Sequence, residues 1–520
     1  SEMCIRDRFI CVTMLLICIS GKATERNLLL IPYPQQVSIK QGNYNLTDNV
    51  KIGADPLFTQ ELKKLQEVLT EDFGLKSQIV KPSKADISLC YDASFMQEEK
   101  EAYQLEVTDM KITIRAQMAT GIFYGIQSLR QLIKSEAGKW IIPKLTITDY
   151  PALSWRSFML DEGRYFKGEK VVKQILDEMA LLKMNVFQWH LTDDQGWRIE
   201  IKKYPRLTEI GAFRDSTQME WYESHHYDGK PHGGFYTQTQ IRNIIKYASE
   251  RHITIIPEIE MPGHSAAAIA AYPWLSATGK EIKVPCNFGV QYDVFNVTDP
   301  KVLNFLNDVI DEVTALFSSG ILHIGGDEVR YDQWNASSSV QKFIQEKGFS
   351  SASDIQVWFT NQMSKVIAQK GWRMMGWNDI TGEKLHHFQS GDKEGTERLA
   401  PGTIVQFWKG DSDMLQRAAE QGQHIVNSYN NFTYLNYSYE YDSLQATYEF
   451  KPISLQRAYE FKPVPENFPV HLVPQILGAS CQMWGEWIPT VESMNYHIYP
   501  RIGAYAVSYT HLRAHETAAN

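Results

Sequence analysis

The chain has 520 residues, 43% apolar and 22% charged, which excludes general disorder and leaves room for a sizeable core, with about three domains as a length prior. Fifty-two Lys and Arg against 61 Asp and Glu give a net charge of −9 with no long basic run, which argues against nucleic acid as a partner. Six Cys without a CxxC or Cys/His spacing argue against a disulfide framework and a metal site, and 13 Trp suit either a core or a surface that stacks flat apolar faces.

Residues 9–19, FICVTMLLICI, follow Arg6 and Arg8 and precede the small residues Ser20, Gly21 and Ala23, the pattern of a secretory signal too short to anchor across a bilayer. Cys18 is a weak lipoprotein-type acceptor, since Ile17 is bulkier than the residue such sites prefer. SEMCIRDR at the start and VSYTHLRAHET at 507–517 look like translated sequencing-adapter sequence and match no barrel period. The expected segmentation is adapter-like residues and signal over 1–27, an α+β domain over 28–150, a catalytic domain over 151–506 with its last helix cut short, and a foreign tail over 507–520.

From Leu28 to Thr148 the pattern is short strands and two helices. Leu57, Leu62, Leu65 and Leu69 have helical spacing within Pro56–Phe73, and Ile122, Ile126, Leu129 and Ile133 mark a second amphipathic helix over Thr120–Ile133. ADISLCYD, AYQLEVTD and KITIRAQ read as strands. After Pro151 the texture becomes strand, polar loop, helix, repeated. Eight strands are expected at Trp155–Leu160, Asn185–His190, Ile253–Ile259, Ile321–Ile324, Arg373–Gly376, Thr403–Trp408, His424–Ser428 and Ile476–Met483. Thr237 and Gln240 have capping-box spacing, and Asp299-Pro300 opens another helix. Eight such units predict a (β/α)8 TIM barrel, whose site lies where the strands end. A tandem repeat, SLQATYEFKPI (443–453) then SLQRAYEFKPV (454–464), precedes the last strand and is too short for a solenoid.

Polar and aromatic residues collect after those strands: Asp161 to Arg164, His190 with Asp193, Asp194 and Trp197, Glu258 to His264, Gly325-Gly326-Asp327-Glu328, Trp377-Asn378-Asp379, Trp408, Tyr429 to Tyr437, and Trp484-Gly485-Glu486. Any one is as well explained by a cap or salt bridge; eight together point to a site. Two adjacent carboxylates crowded into one cavity repel, so one stays protonated and can act as a general acid. Glycosidic cleavage needs such an acid, a second group that stabilises the oxocarbenium-like centre, and a wall on which the sugar stacks.

WHLTDDQGWRIEIKKYPRLTEIGAFR, GGFYTQTQIRNIIKYASERHITIIPEIEMPGHSAAAIAAYP and ILHIGGDEV resemble the family-20 glycoside hydrolases, the β-N-acetylhexosaminidases, and IPYPQQV resembles the start of that family's accessory domain. The resemblance runs from about Leu28 to Ala506. It implies Glu328 as general acid/base and Asp327 as the residue orienting the substrate's 2-acetamido group, which is itself the nucleophile and forms an oxazolinium intermediate. It implies Arg164 on sugar hydroxyls, Trp377, Trp408 and Trp484 as walls, Tyr434 on the acetamido oxygen, Glu486 on outer hydroxyls, and Asp193 with His264 as a supporting pair. Asn436 stands where the family commonly has Asp, losing a charge-assisted bond to the outer hydroxyls. The implied enzyme is exo-acting and retaining, needs no metal or cofactor, and takes glycans ending in β-linked N-acetylglucosamine or N-acetylgalactosamine. Similarity to enzymes of Bacteroidota implies export to the periplasm or outer surface. A non-catalytic sugar-binding paralogue and a disaccharide-releasing enzyme of the same family are the rival readings.

Overall fold

The computed structural model describes residues 28–510 apart from 96–99, 390–394, 444 and 446–449. The adapter-like start, the signal-like run and the part of the adapter-like tail beyond Thr510 lie outside the described residues. The described chain forms two compact units, the first reaching Ala152 and including Ala180–Lys183, the second made of Leu153–Met179 and the chain from Met184 onward.

The first unit is one mixed sheet carrying two helices. Its strands run in the order Gln36–Asn45, Lys139–Asp149, Tyr103–Val107, Ile112–Ala116, Ile87–Tyr91, Asn49–Ala54, Lys76–Ile79, with Lys134–Glu136 paired to Lys139–Asp149. The helix Thr59–Glu71 buries Leu62, Leu65 and Leu69, spaced so that they share one stripe. Leu57, expected on that stripe, is 68% exposed, because Pro56–Phe58 is a separate 3-10 turn that rotates it outward.

The second unit is a closed barrel of eight parallel strands: Trp155–Asp161, Val186–His190, Thr254–Glu258, Ile321–His323, Arg373–Trp377, Ile404–Phe407, His424–Asn427 and Ile476–Met483. They are called strands one to eight below. Expected and observed bounds agree to within one residue. Thr237 and Gln240 form the capping box on the helix Gln238–Ser249, and Asp299 caps Pro300–Leu316 through Lys301 N.

The period of two along a strand builds the barrel interior in layers. Trp155, Val186, Ile256, Met375, Ile404 and Val426 form an apolar cluster, against which Ile321 and Leu477 pack. Two residues further along strands two to seven stand Gln188, Glu258, His323, Trp377, Gln406 and Ser428, and these are hydrogen-bonded across the interior. Gln188 Nε2 donates to Glu258 Oε2 at 2.8 Å, and His323 Nδ1 lies 3.2 Å from Glu258 Oε1. His323 Nε2 is 3.0 Å from Gln406 Oε1, and Gln406 Nε2 donates to Ser428 Oγ at 3.0 Å.

The described chain continues past the expected boundary at Val507 as far as Thr510. The final helix is Arg501–Thr510 and packs against strands one and eight, with Ser508, Tyr509 and Thr510 buried. Ile502, Tyr505 and Tyr509 recur at helical spacing, and the two tyrosine rings stack 5.8 Å apart. Ser508 Oγ donates to Tyr459 O at 3.3 Å, so VSYT is held by the second repeat copy.

The two repeat copies occupy different surroundings. In the first, Gln445 Oε1 accepts from Ser438 N at 2.9 Å and Phe450 stacks on Tyr437 at 4.6 Å. The second forms the helix Leu455–Glu460, where Arg457 Nε donates to Asn431 O at 2.7 Å.

Candidate active site

Gly325 and Gly326 end strand four in left-handed conformations, φ 63° and 87°. A Cβ on Gly325 would lie 1.7 Å from Glu260 Oε2, so only glycine lets this turn close over that side chain. Glu328 itself has φ 51° and His264 φ 47°, conformations costing on the order of 1–3 kcal/mol each. Such strain persists where the surroundings over-determine it, and here each residue is held from several sides.

His264 is the junction. Its Nε2 lies 3.5 Å from Glu328 Oε2 and 3.6 Å from Asp327 Oδ2. Its Nδ1 lies 3.2 Å from Asp194 Oδ2 and 3.4 Å from Asp193 Oδ1. Burial opposes its charge, but Asp193 and Asp327 outweigh it and hold the imidazole pKa well above its ordinary value. On the other side Glu328 N donates to Asp379 Oδ1 at 3.1 Å, and His386 Nε2 is 2.6 Å from the same oxygen. His386 Nδ1 then lies 3.7 Å from Glu328 Oε1, so Glu328 sits between two imidazoles.

These neighbours pull the two carboxyls apart. Burial lifts Asp327 to about 7; His264 works against it, while Asp379 and Glu328 add to it. Burial also acts on Glu328, but the His264 hydrogen bond and the His386 charge leave it below the ordinary value. The sequence argument expected one raised carboxyl, in the general acid. In this pocket the raised one is Asp327.

A second chain of charge leads away from Glu328. Asp193 Oδ2 lies 3.0 Å from Arg164 Nη1 and 2.9 Å from His190 Nε2. Burial would raise Asp193, yet Arg164 and His264 keep it well below its ordinary value. Arg164 reaches 3.9 Å from Glu486 Oε1 and lies over the Trp484 ring at 5.1 Å. Asp161 Oδ2 accepts from Gly485 N at 2.9 Å, tying the loops after strands one and eight together.

Aromatic rings line the space between. Trp377 and Trp484 lie 5.6 Å apart, Tyr434 and Trp484 5.9 Å, and Trp408 stacks on Tyr434 at 6.0 Å with the planes 8° apart. Two of the indoles are fixed by carboxylates: Trp377 Nε1 donates to Glu258 Oε1 and Trp408 Nε1 to Asp379 Oδ2, both at 2.8 Å. Asn436 follows Tyr434 in the same turn. Asp327 Oδ1, Asn436 Oδ1 and Glu486 Oε2 are buried without a hydrogen-bond partner, acceptors that a polar ligand could satisfy.

The structure thus gathers Asp193, His264, Asp327, Glu328, Arg164, Glu486, Trp377, Trp408, Tyr434 and Trp484 into one contiguous cluster at the strand ends. His386 was missed by sequence reasoning, since it lies in a loop beyond the strand end. Glu260, buried with neither oxygen hydrogen-bonded and pushed well up by burial and by Asp327 and Glu258, is the other group whose role no motif disclosed. Three sets among the described residues bring ligand atoms within 4.8 Å: His190, Glu258 and Glu260; Asp193, Asp194 and His264; His264, Asp327 and Glu328. The fold therefore assembles cation-capable clusters that linear spacing does not display.

The chain matches the catalytic-domain model of glycosyl hydrolase family 20 over residues 153–509 and that family's domain 2 over residues 27–150. It is 35% identical to a beta-hexosaminidase of Porphyromonas gingivalis, covering 96% of this chain and 63% of that relative's length. A beta-hexosaminidase of Vibrio furnissii is 34% identical, with 92% of this chain and 76% of the relative covered. Among solved structures, the beta-N-acetylhexosaminidase of Bacteroides fragilis superposes with a TM-score of 0.77 at 31% identity, covering 93% of this chain and 91% of that one. The two matches together span both units of the described chain, and the chain belongs to glycosyl hydrolase family 20.

Proposed function

We propose that the chain is an exo-acting, retaining β-N-acetylhexosaminidase that removes terminal β-linked N-acetylglucosamine or N-acetylgalactosamine from glycans. The observation that carries this reading is the junction at His264, within 3.6 Å of both Asp327 and Glu328, beside the wall formed by Trp377, Trp408, Tyr434 and Trp484. A structure of the Vibrio harveyi exo-beta-N-acetylglucosaminidase in complex with N-acetylglucosamine, TM-score 0.79 at 28% identity and covering 95% of this chain and 77% of that one, supports the ligand class.

In this reading the 2-acetamido oxygen of the sugar attacks the anomeric carbon as the glycosidic bond breaks. Glu328 gives its proton to the leaving oxygen, and Asp327 holds the acetamido N–H and balances the positive charge of the oxazolinium. Glu328 then takes a proton from water, which opens the ring with retention. The chemistry needs Asp327 ionised and Glu328 protonated, the reverse of the ligand-free bias. Binding supplies the reversal: an amide N–H donor stabilises the Asp327 carboxylate, and exclusion of water from Glu328 favours its neutral form. His264, 3.6 and 3.5 Å from the two, stands where the proton is exchanged.

The test uses two leaving groups. Glu328→Gln should lose about 10²–10⁴-fold on an alkyl β-N-acetylglucosaminide and much less on an aryl one, which departs with little proton assistance. Asp327→Asn should lose similar factors on both. Wild-type enzyme should be almost inert toward the aryl β-glucoside, which brings no acetamido nucleophile. Efficient glucoside turnover, or a sugar ester trapped on a carboxylate, defeats the mechanism.

A further inference from the structure

The long loop after strand two is built rather than slack. Phe213 and Arg214 pair with Gly233 and His232 at its base, and Asp228 Oδ1 accepts from Thr217 N at 2.8 Å. It is also fastened to the loop after strand three: Gln218 N donates to Cys286 O at 2.8 Å, and Phe288 N donates to Gln218 Oε1 at 2.9 Å. Its tip carries Trp221 and Tyr222. Trp221 stacks on Trp487 at 5.3 Å with planes 27° apart, and Tyr222 meets the same ring edge-on at 5.3 Å. Phe288 meets it edge-on at 4.8 Å. Three loops therefore converge on one indole, that of the residue directly after Glu486.

That position has a direction relative to the reaction. The charge chain from Glu328 passes through His264, Asp193 and Arg164 before it reaches Glu486. A sugar with its anomeric carbon at Glu328 has its far edge toward Glu486. Tyr222 meets the ring of Trp487, the residue next to Glu486, and its phenol is held above its ordinary value mainly by burial and then by Glu486. A stiff cluster of rings at that edge would bar a sugar attached to the far hydroxyls.

We propose that Tyr222, locked in place by Trp221, Phe288 and Trp487, is the end wall of the sugar pocket and restricts cleavage to a single terminal sugar. The proposal rests on the hexosaminidase reading and adds the residue that enforces exo action over disaccharide release. Its probes are 4-nitrophenyl β-N-acetylglucosaminide and 4-nitrophenyl β-N-acetyllactosaminide, in which a galactose occupies the far 4-hydroxyl.

Wild-type enzyme should release nitrophenol from the blocked substrate at under about one-hundredth of the rate on the open one. Tyr222→Ala should raise that ratio by about tenfold or more, and Tyr222→Phe should leave it unchanged. Trp221→Ala, which removes the ring that braces Trp487, should raise it too and serves if Tyr222→Ala does not fold. Comparable wild-type cleavage of both substrates overturns the wall. So does an unchanged ratio in a folded Ala variant, including one that alters only aglycone preference. A folded wild-type enzyme inert toward both glycosides overturns the hexosaminidase reading itself.

Discussion

Val186, Ile256, Met375, Ile404 and Val426 fill the barrel near the strand starts with hydrocarbon, whereas Gln188, Glu258, Trp377, Gln406 and Ser428, each two residues further on, fill it with paired polar groups. The two layers share the same strands and the same burial, yet they answer to different physics. In the lower layer a lost methyl leaves a void, and the cost scales with the volume that does not collapse. In the upper layer a lost partner leaves a buried donor or acceptor unpaired, and the cost scales with its desolvation. The difference shows how one scaffold carries stability at one end and chemistry at the other: rigid packing below lets strained and like-charged groups persist above.

Four experiments break or sharpen that division. Glu328→Gln should cost about 10²–10⁴-fold in turnover of an alkyl glycoside while thermal unfolding stays close to wild type. A matching collapse of stability would erase the distinction. Ile256→Ala should lose about 2–5 kcal/mol in urea unfolding, with kcat and KM of the folded enzyme near wild type. A folded variant with low kcat would show that the lower layer sets the catalytic geometry directly. Trp377→Phe removes the N–H that Glu258 accepts at 2.8 Å, so it should cost about 1–3 kcal/mol and also lower activity, because this ring belongs to both the polar layer and the wall.

The smallest effect is a pH signature. Burial raises Asp327 from 3.8 to about 7 in the folded protein, so between those values the native state holds a proton that the unfolded chain has released. Stability is lost as pH rises through that window. Asp327→Asn removes this penalty, and its unfolding midpoint should gain on wild type more at pH 8 than at pH 4. An equal offset at both pH values would mean that the carboxyl titrates normally.

The strand ends were legible because the barrel rule turns a linear pattern into a place: Asp327, Trp377 and Trp484 each end an apolar run, and each lies in the strand-end cluster. The inner layer was harder to read. Gln188, His323 and Gln406 lie inside strands, and their meaning comes from partners on other strands, such as the 70 residues between Gln188 and Glu258. His386 reaches Glu328 only through the fold of its loop. The charge bias of the carboxyl pair was also hidden, because it depends on which imidazole faces which oxygen. Tyr509 posed a different difficulty: the texture of VSYT is adapter-like, whereas Ile502, Tyr505 and Tyr509 keep the helical spacing that the described helix obeys.

The ring that joins strand one to strand eight also sets a timetable. Trp155 pairs with Gly478 and Leu160 with Met483, and the Asp161 to Gly485 bond spans 324 residues. At about 5–20 residues per second, a ribosome delivers strand eight roughly 15–65 s after strand one. Throughout that interval strand one has a neighbour on one side only, and contacts of such sequence separation form slowly even once both partners are present. Trp484 and Glu486 are the last of the site residues to emerge, so the site is completed only once strand eight has been made, and a nascent chain carrying both carboxylates remains until then without the far half of its ring wall.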